Sequence, residues 1–227
     1  NAVENPVQTT GVVDLERGWN FNHEDLVTSN NNGVPTLIDN GFTNADLTQQ
    51  IRAASANHGT AVLGEIAGVD NDRGVVGIAP GVGSVRAISY WNSIGANSNV
   101  ASSIVTAIQT MNPGDVLLLE IQNNFLPAER ILASFIAIQL ATALNIIVIE
   151  AAGNGANNLD NQNHIGFNGN TFNRNSASFR ESGAIMVGAC NSPTPHTRWN
   201  SSNFGSRIDC YSYGQNVTTL GYGDQNN

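Results

Sequence analysis

Lysine is absent from the 227 residues; nine arginines face eighteen acids, for a net charge of −9. A chain of that sign repels a phosphate backbone, which excludes nucleic acid as an expected partner. Long hydrophobic runs are missing too: no stretch approaches the roughly 20 apolar residues that cross a bilayer, so no membrane span is expected. Residues Asn1–Gly11 lack the charged-then-apolar layout of a signal peptide, so a secreted form would already be processed. Cysteine is scarce, with only Cys190 and Cys210. That count permits one disulfide and equally permits two free buried thiols. His164 and His196 stand in polar segments without a partner at ligand spacing, which leaves no zinc motif. "GVGS" at 81–84 lacks the rest of a dinucleotide fingerprint, and the sequons at Asn200 and Asn216 are too common to locate anything.

What is present is an alternation of short apolar runs with segments of helical period, undivided by any linker or repeat. "TTGVVD", "GSVRAISYW", "DVLLLEIQ", "IIVIEAAGN", "GAIMVGAC" and "RIDCYSYG" read as strands. "VASSIVTAIQTMN", stopped by Asn112-Pro113-Gly114, and "AERILASFIAIQLATALN" read as helices. Runs this continuously apolar suit parallel strands buried on both faces. The expected fold class is α/β, a three-layer, mostly parallel sheet with helices on both faces, in a single domain over 1–227. Cys190 and Cys210 end runs expected to lie side by side, so a disulfide between them is expected, stabilising by about 3 kcal/mol on the loop-entropy model.

In open parallel sheets chemistry gathers at the carboxyl ends of the strands. Asp14 closes the first run, Asn154 follows "IIVIEAAG", and His58 stands in "NHGTAVLGEIAG" at the mouth of a helix-like segment. Singly, each has a plain structural reading: a helix cap for Asp14, a turn former for Asn154, a hydrogen-bonded helix residue for His58.

Together and in this order they resemble the subtilisin family of serine peptidases. "GVVDLERGWNFNHEDL" is similar to its aspartate segment, "NHGTAVLGEIAGVDNDRGVVGIAP" to its histidine segment and "IIVIEAAGNG" to its oxyanion segment. "GAIMVGACNSPTPHTRWNSSNFGSRIDCYSYG" resembles the stretch leading towards the nucleophile. The resemblance implies a secreted serine endopeptidase in which Asp14 orients His58, His58 acts as general base, and Asn154 donates to the oxyanion. It also implies a substrate pocket flanked by Glu120, Ile121 and Gln122 on one side and Glu150, Ala151, Ala152 and Gly153 on the other. Glu120 and Glu150 depart from the small residues usual there, which points to a pocket for basic or hydrogen-bonding side chains if the two carboxyls face it; the other reading turns them away to serve the structure.

A structural calcium is implied at Asp25 and Asn71, with carbonyls of Val69, Arg73 and Val75; a solvated turn with Asp70 and Asp72 at the surface is the alternative. The family's serine motif, Gly-Thr-Ser-x-Ala, does not occur in the sequence, and Ser201, Ser202, Ser206 and Ser212 read as loop or strand hydroxyls. The expectation is therefore a catalytic domain incomplete at its C-terminus, completed by a segment that carries the serine. The competing class is a nucleophile-free binding or scaffold module on the same fold.

Overall fold

The six runs read as strands have each become a strand, and in the ladder between them the buried backbone satisfies its polar groups. A computed structural model describes residues 10–26, 35–43, 46, 54–91 and 98–221, so residues 1–9 and 222–227 at the two ends lie outside the described set. The strands are β1 (Gly11–Glu16), β2 (Thr36–Leu37), β3 (Ser84–Ser89), β4 (Val116–Leu119), β7 (Ile147–Ala151), β8 (Ile185–Cys190) and β9 (Cys210–Tyr213). They form one sheet in the order β2-β3-β1-β4-β7-β8-β9, with every neighbouring pair parallel. A small antiparallel pair, β5 (Gln122–Asn123) with β6 (Leu126–Pro127), follows β4. Growth runs outwards from β1 in one direction and then the other, and such a reversal opens a crevice at the strands' carboxyl ends.

Among the described residues three α-helices cover the sheet: α1 (Ala54–Ala67), α2 (Val100–Ile108) and α3 (Leu132–Ala143). The Asn99 side chain caps α2 by accepting from Ser102 N at 3.0 Å. α2 and α3 lie over the face that carries Val13, Leu15, Leu117, Leu119 and Val148, closing the main core with Ile104 and Ile138. On the other face α1 brings Leu63 into a second core with Trp19, Phe42, Ala87 and Leu220. None of the described helices is long and apolar enough to cross a membrane.

Among the described residues that second face is only partly covered. Register aligns Leu118 with Ile149 and Ile149 with Ile185, and in the next row Ala151 with Val187. Leu118, Ile149, Ala151 and Val187 are half-buried and Ile185 is exposed, whereas the alternate residues of the same strands are buried. The result is an apolar sheet surface beyond the reach of α1.

The expected disulfide does not form. β8 and β9 are indeed neighbours, but Cys210 pairs with Val187 and Cys190 with Tyr213. Three residues of offset separate the cysteines by about 10 Å along the strands, beyond the roughly 7 Å that a disulfide spans between Cα atoms. Both are free thiols, Cys190 buried and Cys210 exposed.

Candidate active site

β1 runs two residues past Asp14, to Glu16. Strand alternation sends Leu15 to the main core and puts Asp14 and Glu16 on the opposite face, one pleat apart. The later acid is the one that reaches the crevice: Glu16 Oε1 is hydrogen-bonded to His58 Nδ1, in the second turn of α1. Asp14 therefore does not hold His58, contrary to expectation. It lies about 7 Å further back along the strand, fully buried, and accepts from Trp19 Nε1 at 2.7 Å. The sequence carried a signal for this. In "GVVDLE" two acids share one parity, and only the last residue of a parallel strand stands at its carboxyl edge.

Glu16 is 4% exposed, whereas the His58 side chain is 46% exposed. The hydrogen bond to Glu16 raises the His58 pKa. Burial pushes the Glu16 carboxyl up, opposed by the hydrogen bond and charge of His58. Engaging Nδ1 leaves Nε2 as the nitrogen that can accept a proton. Glu120 is near them: it directly follows Leu119, the β4 residue aligned with Leu15, and its charge acts on His58 while that of Glu16 acts on it. Burial, and then the Glu16 charge, pushes Glu120 up to about 7.

α1 is fixed to the loop after β1. Asn20 N donates to Thr60 Oγ1 at 2.8 Å, and that hydroxyl donates to Ala56 O at 2.6 Å. Gly59 permits the close approach, since a Cβ there would fall 2.5 Å from Gly18 O and 2.7 Å from the Trp19 ring. Downstream chain reaches the same helix. Thr219 Oγ1 donates to Ala61 O, and Leu220 packs where Gly64 has no side chain.

Asn154 is exposed on the loop beyond β7, with its backbone N–H donated to Gln122 Oε1 at 2.8 Å. Ala152 stays in the ladder, its N–H donating to Val187 O at 2.9 Å. The loop turns at Gly153, φ +89°, where a side chain would also strike Phe125 O. Its organiser is Asn203, which sequence reasoning passed over. The fully buried Asn203 Nδ2 donates to Ala152 O (2.6 Å) and Phe125 O (2.7 Å), and its Oδ1 accepts from Gly155 N (3.1 Å) and Asn157 N (2.8 Å). No local motif marks such a residue, because its partners come from two segments far up the chain, Phe125 and 152–157.

Glu150 is not in the pocket wall. It aligns with Leu119, not Glu120, so the two carboxyls leave adjacent strands on opposite faces. Glu150 is fully buried and accepts from Glu129 N at 2.7 Å. Glu129 in turn pairs with the buried Arg207, Nε to Oε1 at 2.9 Å. Burial and the neighbouring Glu129 raise the Glu150 pKa well above its ordinary value. The structural reading of that residue holds.

The Asp25 loop is closed on itself. Asp25, 2% exposed, accepts from Val75 N at 2.7 Å through Oδ2, and its carbonyl accepts from Val69 N at 3.1 Å. Asn71 Oδ1 accepts from Arg73 N at 2.8 Å, while the Arg73 side chain turns outwards to Glu24 and Asp72. Among the described residues no cation pairs with Asp25, and no group of three or more His, Cys, Asp or Glu side chains gathers as a metal site. A buried carboxylate with no cationic partner among the described residues is the one feature of this loop that suits a hard cation.

No described serine hydroxyl is hydrogen-bonded to His58. Ser202 Oγ is occupied with Ala189 N and Asn203 O, and Ser206 Oγ with Asp160. A family model described as the Subtilase family (Peptidase S8) matches residues 10–227. The chain belongs to the subtilase family. Subtilisin DY of Bacillus licheniformis is 39% identical over 112 residues, which are 48% of this chain and 38% of that protein. The match thus spans well under two thirds of that relative.

Among solved structures, the psychrophilic subtilisin-like protease Apa1 of the Antarctic psychrotroph Pseudoalteromonas sp. AS-11 superposes with TM-score 0.62 at 21% identity, over 91% of this chain and 41% of that one. A cold adapted subtilisin-like serine proteinase gives TM-score 0.61 at 20% identity, over 96% and 67%. At such identities the likeness speaks for the fold. In this subtilase, Glu16, His58 and Glu120 meet at neighbouring strand ends, Asn154 stands on the loop after β7, and Asp14 and Glu150 are withdrawn into the interior.

Proposed function

We propose that this domain carries the acid–base half of a subtilisin-type serine endopeptidase, with Glu16 rather than Asp14 as the acid that orients His58. The observation that carries the reading is the Glu16–His58 hydrogen bond at the carboxyl edge of the sheet. Held through Nδ1, His58 takes the proton of an attacking hydroxyl at Nε2 and returns it to the leaving amine. Asn154 offers its amide to the oxyanion that develops on the scissile carbonyl. The hydroxyl comes from a segment outside these 227 residues, seated on the half-buried apolar surface of β4, β7 and β8. Support for that seat comes from the downstream chain, since Thr219 and Leu220 already lie on the helix that bears His58. The reading extends to a secreted enzyme.

In the polypeptide that includes the serine segment, Glu16→Gln should lower kcat about 10³- to 10⁴-fold by leaving His58 in the wrong tautomer. Asp14→Asn should stay near wild type. The reverse result would return the role to Asp14, turnover indifferent to His58→Ala would overturn the acid–base assignment, and a polypeptide that neither cleaves peptides nor reacts with a serine-directed phosphonate would favour the nucleophile-free scaffold.

Glu120, with Ile121, Gln122 and the Ala151–Gly153 edge, gives the pocket before the scissile bond a carboxyl, and so a preference for cationic or hydrogen-bonding side chains. Cleavage of a peptide library should show it, and strict selection of large apolar residues would refute it. Asp25, Asn71 and the carbonyls of Val69, Arg73 and Val75 hold a structural calcium in this reading. An ion bound only to the native state stabilises by mass action, so excess chelator should lower Tm. An unchanged Tm would end the claim.

A further inference from the structure

Asp14 is an unusual group to find two residues from the crevice. None of its surface reaches solvent, Oδ2 accepts from Trp19 Nε1 at 2.7 Å, and Oδ1 has no hydrogen-bond partner. Its neighbours in register are Ala87 and Leu118, its neighbour along the strand is Glu16, and no arginine or histidine pairs with it among the described residues. A carboxylate there would leave a charged oxygen bare of donors beside another anion, whereas a neutral acid carries no charge to solvate, keeps Oδ2 as acceptor for the indole N–H and places its own proton on Oδ1.

The indole leads straight to the histidine. Trp19 is fully buried, and its Cδ1 and Nε1 lie where a Cβ on Gly59 would approach to 2.7 Å, directly beneath the turn of α1 that carries His58. The next residue, Asn20, ties the same turn through Thr60. The ring also stacks on Phe21, centroids 5.8 Å apart, and packs among Leu63, Phe42 and Ala87, but Asp14 is the acceptor that holds its N–H.

We propose that Asp14 is a positioning residue: as a neutral carboxylic acid it fixes the Trp19 indole, and the indole fixes the turn that presents His58 to Glu16. The proposal builds on the reading of Glu16 and His58 as the acid–base pair. Its test reads that pair and not turnover, so a chain that never cleaves a peptide still decides it. The groups that bear on the titration are Glu16, Glu120 and Glu65 for His58, and Glu16 and Glu120 for Asp14.

In the isotope-labelled 227-residue chain, the His58–Glu16 hydrogen bond should give a low-field ring proton and a raised His58 titration midpoint by NMR. Asp14→Asn, which keeps an acceptor for the indole, should retain both. Asp14→Leu should lose the low-field proton and let the midpoint fall towards the ordinary value of about 6.5. Trp19→Phe keeps most of the ring but deletes the donor, and should do the same, so the proposal stays testable if Asp14→Leu fails to fold. Both signals unchanged in Trp19→Phe would overturn the positioning role, and loss of both in Asp14→Asn would overturn the neutral acid.

A second measurement addresses protonation alone. The unfolded chain releases the Asp14 proton above about pH 4 and the native chain keeps it, so wild type should lose stability relative to Asp14→Asn as pH rises. Denaturation midpoints should match at pH 4 and favour Asp14→Asn at pH 8; the opposite order would overturn the proposal.

Discussion

His164 shows how far one residue's chemistry depends on what the fold stacks around it. The ring is fully buried, 4.3 Å from the Phe172 ring centroid and edge-on to Phe135 at 4.6 Å. Its Nδ1 is bonded to Thr171 Oγ1 at 2.7 Å, and Nε2 has no partner. Burial first, then Arg180 and Arg207, pushes its pKa down to about 4. Between the unfolded value near 6.5 and that folded value, only the unfolded chain binds the proton. The contribution is thus full above about pH 6.5 and lost as pH falls. Urea titrations from pH 7 to 4.5 should find wild type losing about 2 kcal/mol more than His164→Phe; parallel curves would show that the ring protonates without cost. In sequence His164 reads as a loop residue among asparagines, because Phe135 lies far up the chain and signals nothing locally.

Among the elements, the loop after β7 and the β8–β9 pair depend most on contacts that no run of sequence announces. Asn203→Ala would strip three backbone groups of the loop after β7, and Phe125 O beside it, of their partner. The expected cost is about 2–4 kcal/mol, with faster amide exchange at Gly155 and Asn157; unchanged exchange there would mean the loop holds itself. The cysteines make a complementary case. Strand adjacency was legible in their apolar runs, but the ladder that fixes register is set by the whole sheet. Under denaturing, non-reducing conditions both thiols should take up maleimide, and Cys190→Ser with Cys210→Ser should leave Tm nearly unchanged.

Across the whole molecule, buried acid is the dominant electrostatic theme. Burial raises Asp14, Glu16, Glu65, Glu120 and Glu150, in each case as the leading cause. A carboxyl whose folded pKa exceeds its unfolded one stabilises fully below the unfolded value and loses that contribution as pH rises through the folded value. His58, raised by Glu16, acts in the same sense. His164 opposes them below about pH 6.5, and Asp209, held low despite its burial by Met186 N and Arg174, opposes them in stronger acid. With a net charge of −9 adding self-repulsion at higher pH, Tm should be several degrees higher at pH 5.5 than at pH 8. Calorimetry across that range checks it, and a Tm that climbs towards pH 8 would contradict the burial of these acids.

The sequence by itself determined the parallel α/β layout, the subtilase family, a helix bearing His58 and the placing of Asn154 beyond a strand end, since apolar runs and the "NHGTAV" and "EAAGN" motifs are properties of short stretches; that His58 stands in the second turn of its helix and not at its mouth came from the structure. Tertiary structure alone decided depth and register. Asp14 and Glu16 have the same parity and nearly the same chemistry, and which one meets His58 depends on where β1 stops relative to β3 and β4. Glu120 and Glu150 were placed on opposite faces by a one-residue offset, and Cys190 and Cys210 were kept apart by three. The physical reason is the same throughout: a strand's hydrophobic pattern sets which face a side chain takes, while its position along the sheet comes from neighbours distant in the chain.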